Sequence, residues 1–540
     1  MRYFASMLAA AALALGVQPL AAQDGPQFAV LDPRGSLPEV EPAPLAPRLD
    51  SLQGKRIRIV KSWPGNSGFD DTIEPIAQSL RARGAEVTVS DRNTSYSQDD
   101  PQLWADMRET ADAFVYVAAA SSSTTAYAFR WSAQLERGGM PGVVVNFDEL
   151  ATVGDLSNAR FAVPVRRVEF DYPPEAMEPG ALEQAIADVA QALLRPLTRA
   201  EIRPVAAPRE DRSGILLTGT LQEVQDRFYE MGLTDGLPIV PPTQAAVDAM
   251  LRGTSHDPDE VVATEFPPEG MIATVRQVAI NGVMAGCSAE HLPVLLATIE
   301  AFQVNNMNSI LRSTNAFSFM QVVNGPIRQE LEMNAASNAI GPGNRPNACM
   351  GRALRLFVTN LGDGHFGVNL MAVIGNNSNY AFLFAENEEM SPWPSLAEDA
   401  GFASTDNTLT LFVGGWGHAG NYGLGTEISD VPPDLAAFQI AGGATLIVSP
   451  ARAEALAAEG MTKEALEDYL EQTACRTLED LRKEGRFQSV AGYEDQPGDT
   501  CIPRFAEGTI TVVVAGNDAS PMMQAWSMYR PVTVSIDKWR

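Results

Sequence analysis

Arg56-Ile-Arg-Ile-Val60 alternates basic and aliphatic residues, the two-residue period of a strand. A helical pattern follows over about 69–83 and stops at Gly84. A second strand is expected at 85–89 and a second helix at about 101–110. Ala113 to Val117 is wholly apolar, as a strand buried on both faces would be. The hydroxyl run Ser121 to Thr125 comes next, then a helix over 126–137 closed by Gly138-Gly139, then the aliphatic strand Val143 to Asn146. Phe161 to Val165 reads as a further strand and Gly180 to Leu194 as an amphipathic helix. Strands alternating with helices at this spacing predict a doubly wound parallel sheet, one α/β domain over 54–197.

The flanks read differently. Residues 23–53 carry six prolines among few large apolar residues, an extended or disordered arm. Residues 198–215 are polar and proline-containing, a linker. Over 216–540, Gly- and Asn-rich loops separate helices at 221–231, 244–251 and 291–302 from strands at 319–323, 408–413, 445–448 and 510–514. This is a larger mixed α/β domain. Residues 1–22 have a signal-peptide pattern: Arg2, an apolar run from Met7 to Val17, and Leu20-Ala21-Ala22 before the expected cleavage. The expected location is periplasmic or secreted.

Charge narrows the partners. A formal net charge of −28 argues against nucleic acid, and no later stretch is apolar for long enough to span a membrane. There are four cysteines. Cys475 and Cys501 flank a polar segment and are expected to be bridged in an oxidising compartment, whereas Cys287 and Cys349 read as separate free thiols.

Four constellations carry candidate chemistry. Ser121, Ser122, Ser123 and Thr124 stand where a helix begins, and either cap it or cradle a carboxylate or phosphate. A serine nucleophile needs a base, and no histidine lies in 54–197. Cys287 in Gly286-Cys-Ser-Ala-Glu-His291 is placed at a helix start, where the dipole lowers a thiol pKa, with His291 one turn on. Glu386, Glu388 and Glu389, with His365 and His418 in Gly-rich loops, form an acid/base or divalent-metal set if they converge. Gly341-Pro-Gly-Asn344-Arg345-Pro-Asn347, with Arg352, offers amides and two guanidiniums to a small organic anion, without the Lys-Ser/Thr of a nucleotide loop.

The βαβ stretch 111–147 resembles the UGSC-type selenoprotein family, whose loop carries selenocysteine, Gly, Ser and Cys. Ser121 to Thr124 hold those places here. Several later blocks also resemble the large module that accompanies such loops: Asp235-Gly-Leu-Pro-Ile-Val-Pro-Pro-Thr243, Val323-Asn324-Gly-Pro-Ile327, the Gly341–Arg352 block and Ala385-Glu-Asn-Glu-Glu389. The resemblance implies thiol-oxidoreductase ancestry, with the N-terminal redox atoms replaced. It adds Asp235 and Asn324 to the candidate ligand contacts.

The expected function is an exported enzyme acting on a small anionic or carbonyl-containing molecule. Its site is expected in the second domain or the interdomain cleft, with Cys287 lining a pocket shared with the Gly341–Arg352 loop and at least one of Glu386, Glu388, His365 or His418. The alternatives are a Cys- or metal-dependent hydrolase and a non-catalytic small-ligand-binding protein.

Overall fold

A computed structural model describes residues 25–63, 70–206, 211–304, 307–438, 442–484, 492–493 and 495–540. The signal-peptide pattern at 1–22 lies outside them. In the N-terminal half, strands Glu86–Ser90, Arg56–Lys61, Ala113–Val117, Gly142–Phe147 and Arg167–Phe170 lie in that order, all parallel. Side-chain alternation along the central strand splits the core in two. Ala113, Val115 and Val117 pack with Ile76 and Leu80 of helix Asp70–Arg81 and with Val189 and Leu193 of helix Pro179–Leu194. Phe114 and Tyr116 pack on the other face with Trp104 of helix Pro101–Thr110 and Phe129 of helix Ser122–Arg137. Helices on both faces of a parallel sheet are the doubly wound arrangement expected.

One expectation fails here. Residues 161–165 are not a strand: helix Ala151–Phe161 precedes them and the edge strand is Arg167–Phe170. That helix has few large apolar residues because it presses against its neighbour through Gly154, where a Cβ would come within 2.7 Å of Phe129 Cζ.

The arm, where described, is extended and held throughout. Phe28–Leu31 pairs antiparallel with Ile215–Gly219, burying Val30 and Leu31 in the C-terminal core. Further on, Leu45 N–H donates to Glu201 O and Ala46 N–H to Glu136 Oε2 in the N-terminal half. Proline forbids helix and removes donors, so the amides that remain are tied to both halves. Within the expected linker, Glu201 closes a capping box with Thr198 and pairs with buried Arg166.

The C-terminal half is built on six strands in the order Leu383–Ala385, Ser318–Asn324, Thr408–Tyr422, Met523–Ser535, Ala444–Val448 and Ile510–Val514. The outer pairings are parallel and the inner ones antiparallel. Helices Val275–Ala285, Leu292–Val304 and Arg345–Leu356 share one core with strand residues Val323, Leu409 and Leu411. Cys475 and Cys501 form a disulfide with Cα atoms 5.5 Å apart, joining two short paired strands. No helix among the described residues is long and apolar enough to cross a membrane.

Candidate functional site

The hydroxyl loop sits at the carboxyl end of strand Ala113–Val117, as a βαβ unit requires. The helix begins at Ser122, four residues earlier than the apolar pattern marks, because Ser121 caps it by accepting from Thr124 N–H. Thr124 Oγ1 donates to Ala119 O at 2.9 Å. Ser122 Oγ donates to Val368 O and accepts from Arg312 Nη1 at 3.2 Å, tying the loop to the C-terminal half. Arg312 is buried and pairs with Glu269. The loop's hydroxyls are therefore largely spent on backbone and on the joint between the halves. Ser121, Ser123 and Thr124 still border a cleft of about 470 Å³ with Trp63, Tyr96 and Tyr172.

The soft donors converge elsewhere. Helix Val275–Ala285 ends at Gly286, whose φ of 89° is the left-handed stop that glycine adopts without strain. The reversal lets Cys287 N–H donate to Gly282 O and sends its side chain inward. Ser288 and His291 close a capping box in which Ser288 N–H donates to His291 Nδ1 at 3.0 Å, which fixes the ring. Cys349 comes from the second turn of helix Arg345–Leu356, capped by Asn344 and carrying Pro346 in its first turn. Its Sγ lies 3.8 Å from His291 Nδ1. One ligand atom each from Cys287, His291 and Cys349 lie within 4.8 Å of one another, all three residues buried.

Electrostatics distinguishes the two thiols. A hydrogen bond from the Cys287 thiol, contacts with His291 and the charge of Arg345 outweigh burial and bring Cys349 down to about 6. Burial and the neighbouring Cys349 push Cys287 well up. The low-pKa thiol is thus Cys349, not Cys287: Cys287 stands between the end of helix Val275–Ala285 and the turn capped by Ser288, and burial is the largest influence on it. Sequence reasoning treated Cys349 as a separate thiol. The available signal was its place in the second turn of a helix marked by Asn344 and Pro346.

The other expected contacts are engaged internally. Arg345 donates to Gly286 O, beside Cys287, at 2.9 Å. Arg352 makes a two-pronged pair with buried Asp235, both contacts 2.8 Å, so neither is free to clamp an anion. Asn347 Nδ2 donates to Asn334 O and Ala339 O. The Gly341–Arg352 block meets Cys287 through Arg345 and Cys349, and the rest of it is structural.

The carboxylate–imidazole set does not assemble. Buried Glu386, its carboxyl raised by burial, accepts from Asn324 Nδ2 at 2.6 Å and from Leu396 N–H. Glu388 and Glu389 pair with Arg328. Asn324 stands level with Thr408, whereas His418 lies beyond Gly414 on the same strand, against Trp526. The run from Thr408 to Gly414 alone spans about 20 Å. His365 pairs with Asp363, near the interdomain joint. A shared metal site for these residues is therefore corrected. The donor set for a thiophilic ion is Cys287, His291 and Cys349.

The chain is a two-part α/β protein with a capped hydroxyl loop in one part and a dithiol–imidazole cluster in the other. A model of the UGSC family matches residues 29–199, from the arm strand to the capped turn at Thr198. That segment, under a third of the chain, is similar to the UGSC family. No curated protein matches the chain. A solved LacI-family transcriptional regulatory protein from Corynebacterium glutamicum is similar at 13% identity over 31% of this chain and 97% of its own, with a TM-score of 0.14, too low to bear on fold or function.

Proposed function

We propose that the chain is an exported thiol-dependent enzyme of UGSC-type ancestry, acting on a small molecule at the Cys287–His291–Cys349 cluster of its C-terminal half. One observation carries the reading: two sulfurs and an imidazole meet in one buried cluster, and one sulfur is held near pKa 6 by the others. A thiolate populated at neutral pH is the form that attacks. With a disulfide-bearing small molecule, the Cys349 thiolate attacks one sulfur and expels a thiolate. Cys287 then loses its proton, attacks Cys349 Sγ and expels the second thiolate, leaving a protein disulfide and two small thiols. His291 Nδ1 lies 3.8 Å from Cys349 Sγ, and its hydrogen bond from Ser288 N–H fixes the ring there.

Mass analysis after brief oxidation by glutathione disulfide tests this. A Cys287–Cys349 crosslink with release of two glutathiones is expected. A stable glutathione adduct on Cys349 would refute the dithiol step, and two unmodified thiols would refute the site.

A second reading has one observation in its favour, the soft donor triad itself, which suits a thiophilic cation. His291 Nδ1, which faces Cys349 Sγ, already accepts from Ser288 N–H, so an ion bound through it would displace that contact. Zinc-dependent protection of both thiols from alkylation would favour it, and zinc-independent alkylation would remove it.

A further inference from the structure

Several buried arginines of this chain are matched by carboxylates: Arg48 by Glu136, Arg166 by Glu201, Arg312 by Glu269 and Arg328 by Glu388. Arg355, in the last turn of helix Arg345–Leu356, is only 9% exposed and has no such match among the described residues. Its hydrogen bond is a long one, from Nη2 to Thr359 Oγ1 at 3.3 Å. The Phe366 ring covers it at 4.5 Å. Burial brings the guanidinium down to about 10, and Asp235, the carboxylate that opposes this shift, is itself held by Arg352. A guanidinium carries five N–H donors, so most of those on Arg355 are unspent.

The same side chain lines a small pocket with Phe319, Gln321, Ser378, Asn379 and Phe382, and no Asp or Glu borders it. Gln321 is 1% exposed; its Oε1 accepts from Thr298 at 2.8 Å, and its Nε2 has no partner among the described residues. The Ser378 amide donates to Asn376 Oδ1, which leaves the hydroxyl of Ser378 unspent. Helix Arg345–Leu356, strand Ser318–Asn324 and the turn Asn377–Asn379 thus bring unspent donors to one pocket whose lining holds a positive charge and no negative one.

A buried charge without a partner is costly, and a buried amide donor left unpaired adds to that cost. Water could accept from these donors, but only an anion also neutralises the guanidinium. Size narrows the choice: a water-sized sphere has about 10 Å³ to occupy here, the room of one water or one monatomic ion. We propose that this pocket binds a single halide-sized inorganic anion such as chloride, held by the Arg355 guanidinium, Gln321 Nε2 and the Ser378 hydroxyl. The bound ion ties the 377–379 turn to the helix that carries Cys349, at a place separate from the thiol cluster.

Chloride NMR line broadening with the full chain tests it, at constant ionic strength made up with sodium gluconate, an anion too large to enter. Excess broadening that saturates with chloride and is displaced by bromide is expected. Arg355→Met should weaken chloride by roughly tenfold or more, the usual value of a charged hydrogen bond. Gln321→Glu places a carboxylate beside the guanidinium and should remove chloride binding while keeping the melting temperature in gluconate, a readout that stands even if Arg355→Met does not fold. Cys349→Ser should leave the affinity intact, which separates this site from the thiol reading. Absence of saturable broadening, failure of bromide to displace chloride, or an unchanged chloride affinity in either pocket variant would each overturn the proposal.

Discussion

The Ser121–Thr125 loop and the Cys287–His291–Cys349 cluster put reactive atom types at comparable places, each beside the start of a helix, with opposite results. In the loop the hydroxyls turn back on their own backbone: Ser121 caps, Thr124 donates to Ala119 O, and Ser122 is held by Arg312. A hydroxyl is a strong hydrogen-bonding group, so a helix start and a buried arginine readily consume it. Sulfur is a weak donor and acceptor. The backbone makes little claim on Cys349, which answers instead to Cys287, His291 and Arg345. The loop is a joint between halves, whereas the buried cluster keeps its two sulfurs beside one another and an imidazole. A hydroxyl loop and a thiol cluster thus differ in which interactions claim them as well as in how they react.

The largest expected effect concerns the joint. Arg312→Ala leaves Glu269 buried without its cation and should cost about 3–5 kcal/mol, the usual penalty for breaking a buried pair, measurable by urea unfolding. A loss under about 1 kcal/mol would mean that the loop is not a joint. Next comes the cluster's reactivity. Cys349→Ala should lower iodoacetamide alkylation at pH 7 by roughly a hundredfold, because a thiol raised by burial supplies almost no thiolate. In the unsubstituted chain the rate should be fully developed above the value of about 6 and fall away below it as the thiolate is protonated. A midpoint near the ordinary ~8.5 would erase the contrast.

Cys287→Ala is a smaller test of the same point. Removing the thiol that stabilises the Cys349 thiolate should move that alkylation midpoint upward, at a stability cost of about 1 kcal/mol for one buried atom. An unmoved midpoint would assign the low pKa to His291 and Arg345 alone. Smallest is Ser121→Ala, which should cost about 1 kcal/mol through the lost cap and leave alkylation of Cys349 unchanged. A changed alkylation rate would show that the two regions are coupled.

Much of the fold was legible. Helix 101–110 and strands 113–117 and 510–514 fall where their periodicity places them, since local pattern reports which face a segment buries. Helix Ala151–Phe161 escaped because its contact is made by Gly154, a residue that leaves no apolar mark. The arm's order escaped because its partners, Ile215–Gly219 and Glu201, lie far along the chain. Of the candidate site, Cys287 and His291 were legible as neighbours in sequence. Cys349 was not tied to them, and Arg352, Asp235, Glu388 and Glu389 are charges absorbed by partners that composition does not reveal.

The sequence by itself determined the alternation of strand and helix and the hydroxyl loop at a strand end, because each depends on residues close in the chain or on local period, and it left the cysteine connectivity open. Only the tertiary structure decided which thiol is activated and what holds the hydroxyl loop. Cys287 and Cys349 stand 62 positions apart and Ser122 and Arg312 stand 190 apart, and a pKa or a hydrogen bond depends on separations of a few ångströms in space. Those separations exist only once helix Arg345–Leu356 lies against helix Val275–Ala285 and the two halves meet across Ser122.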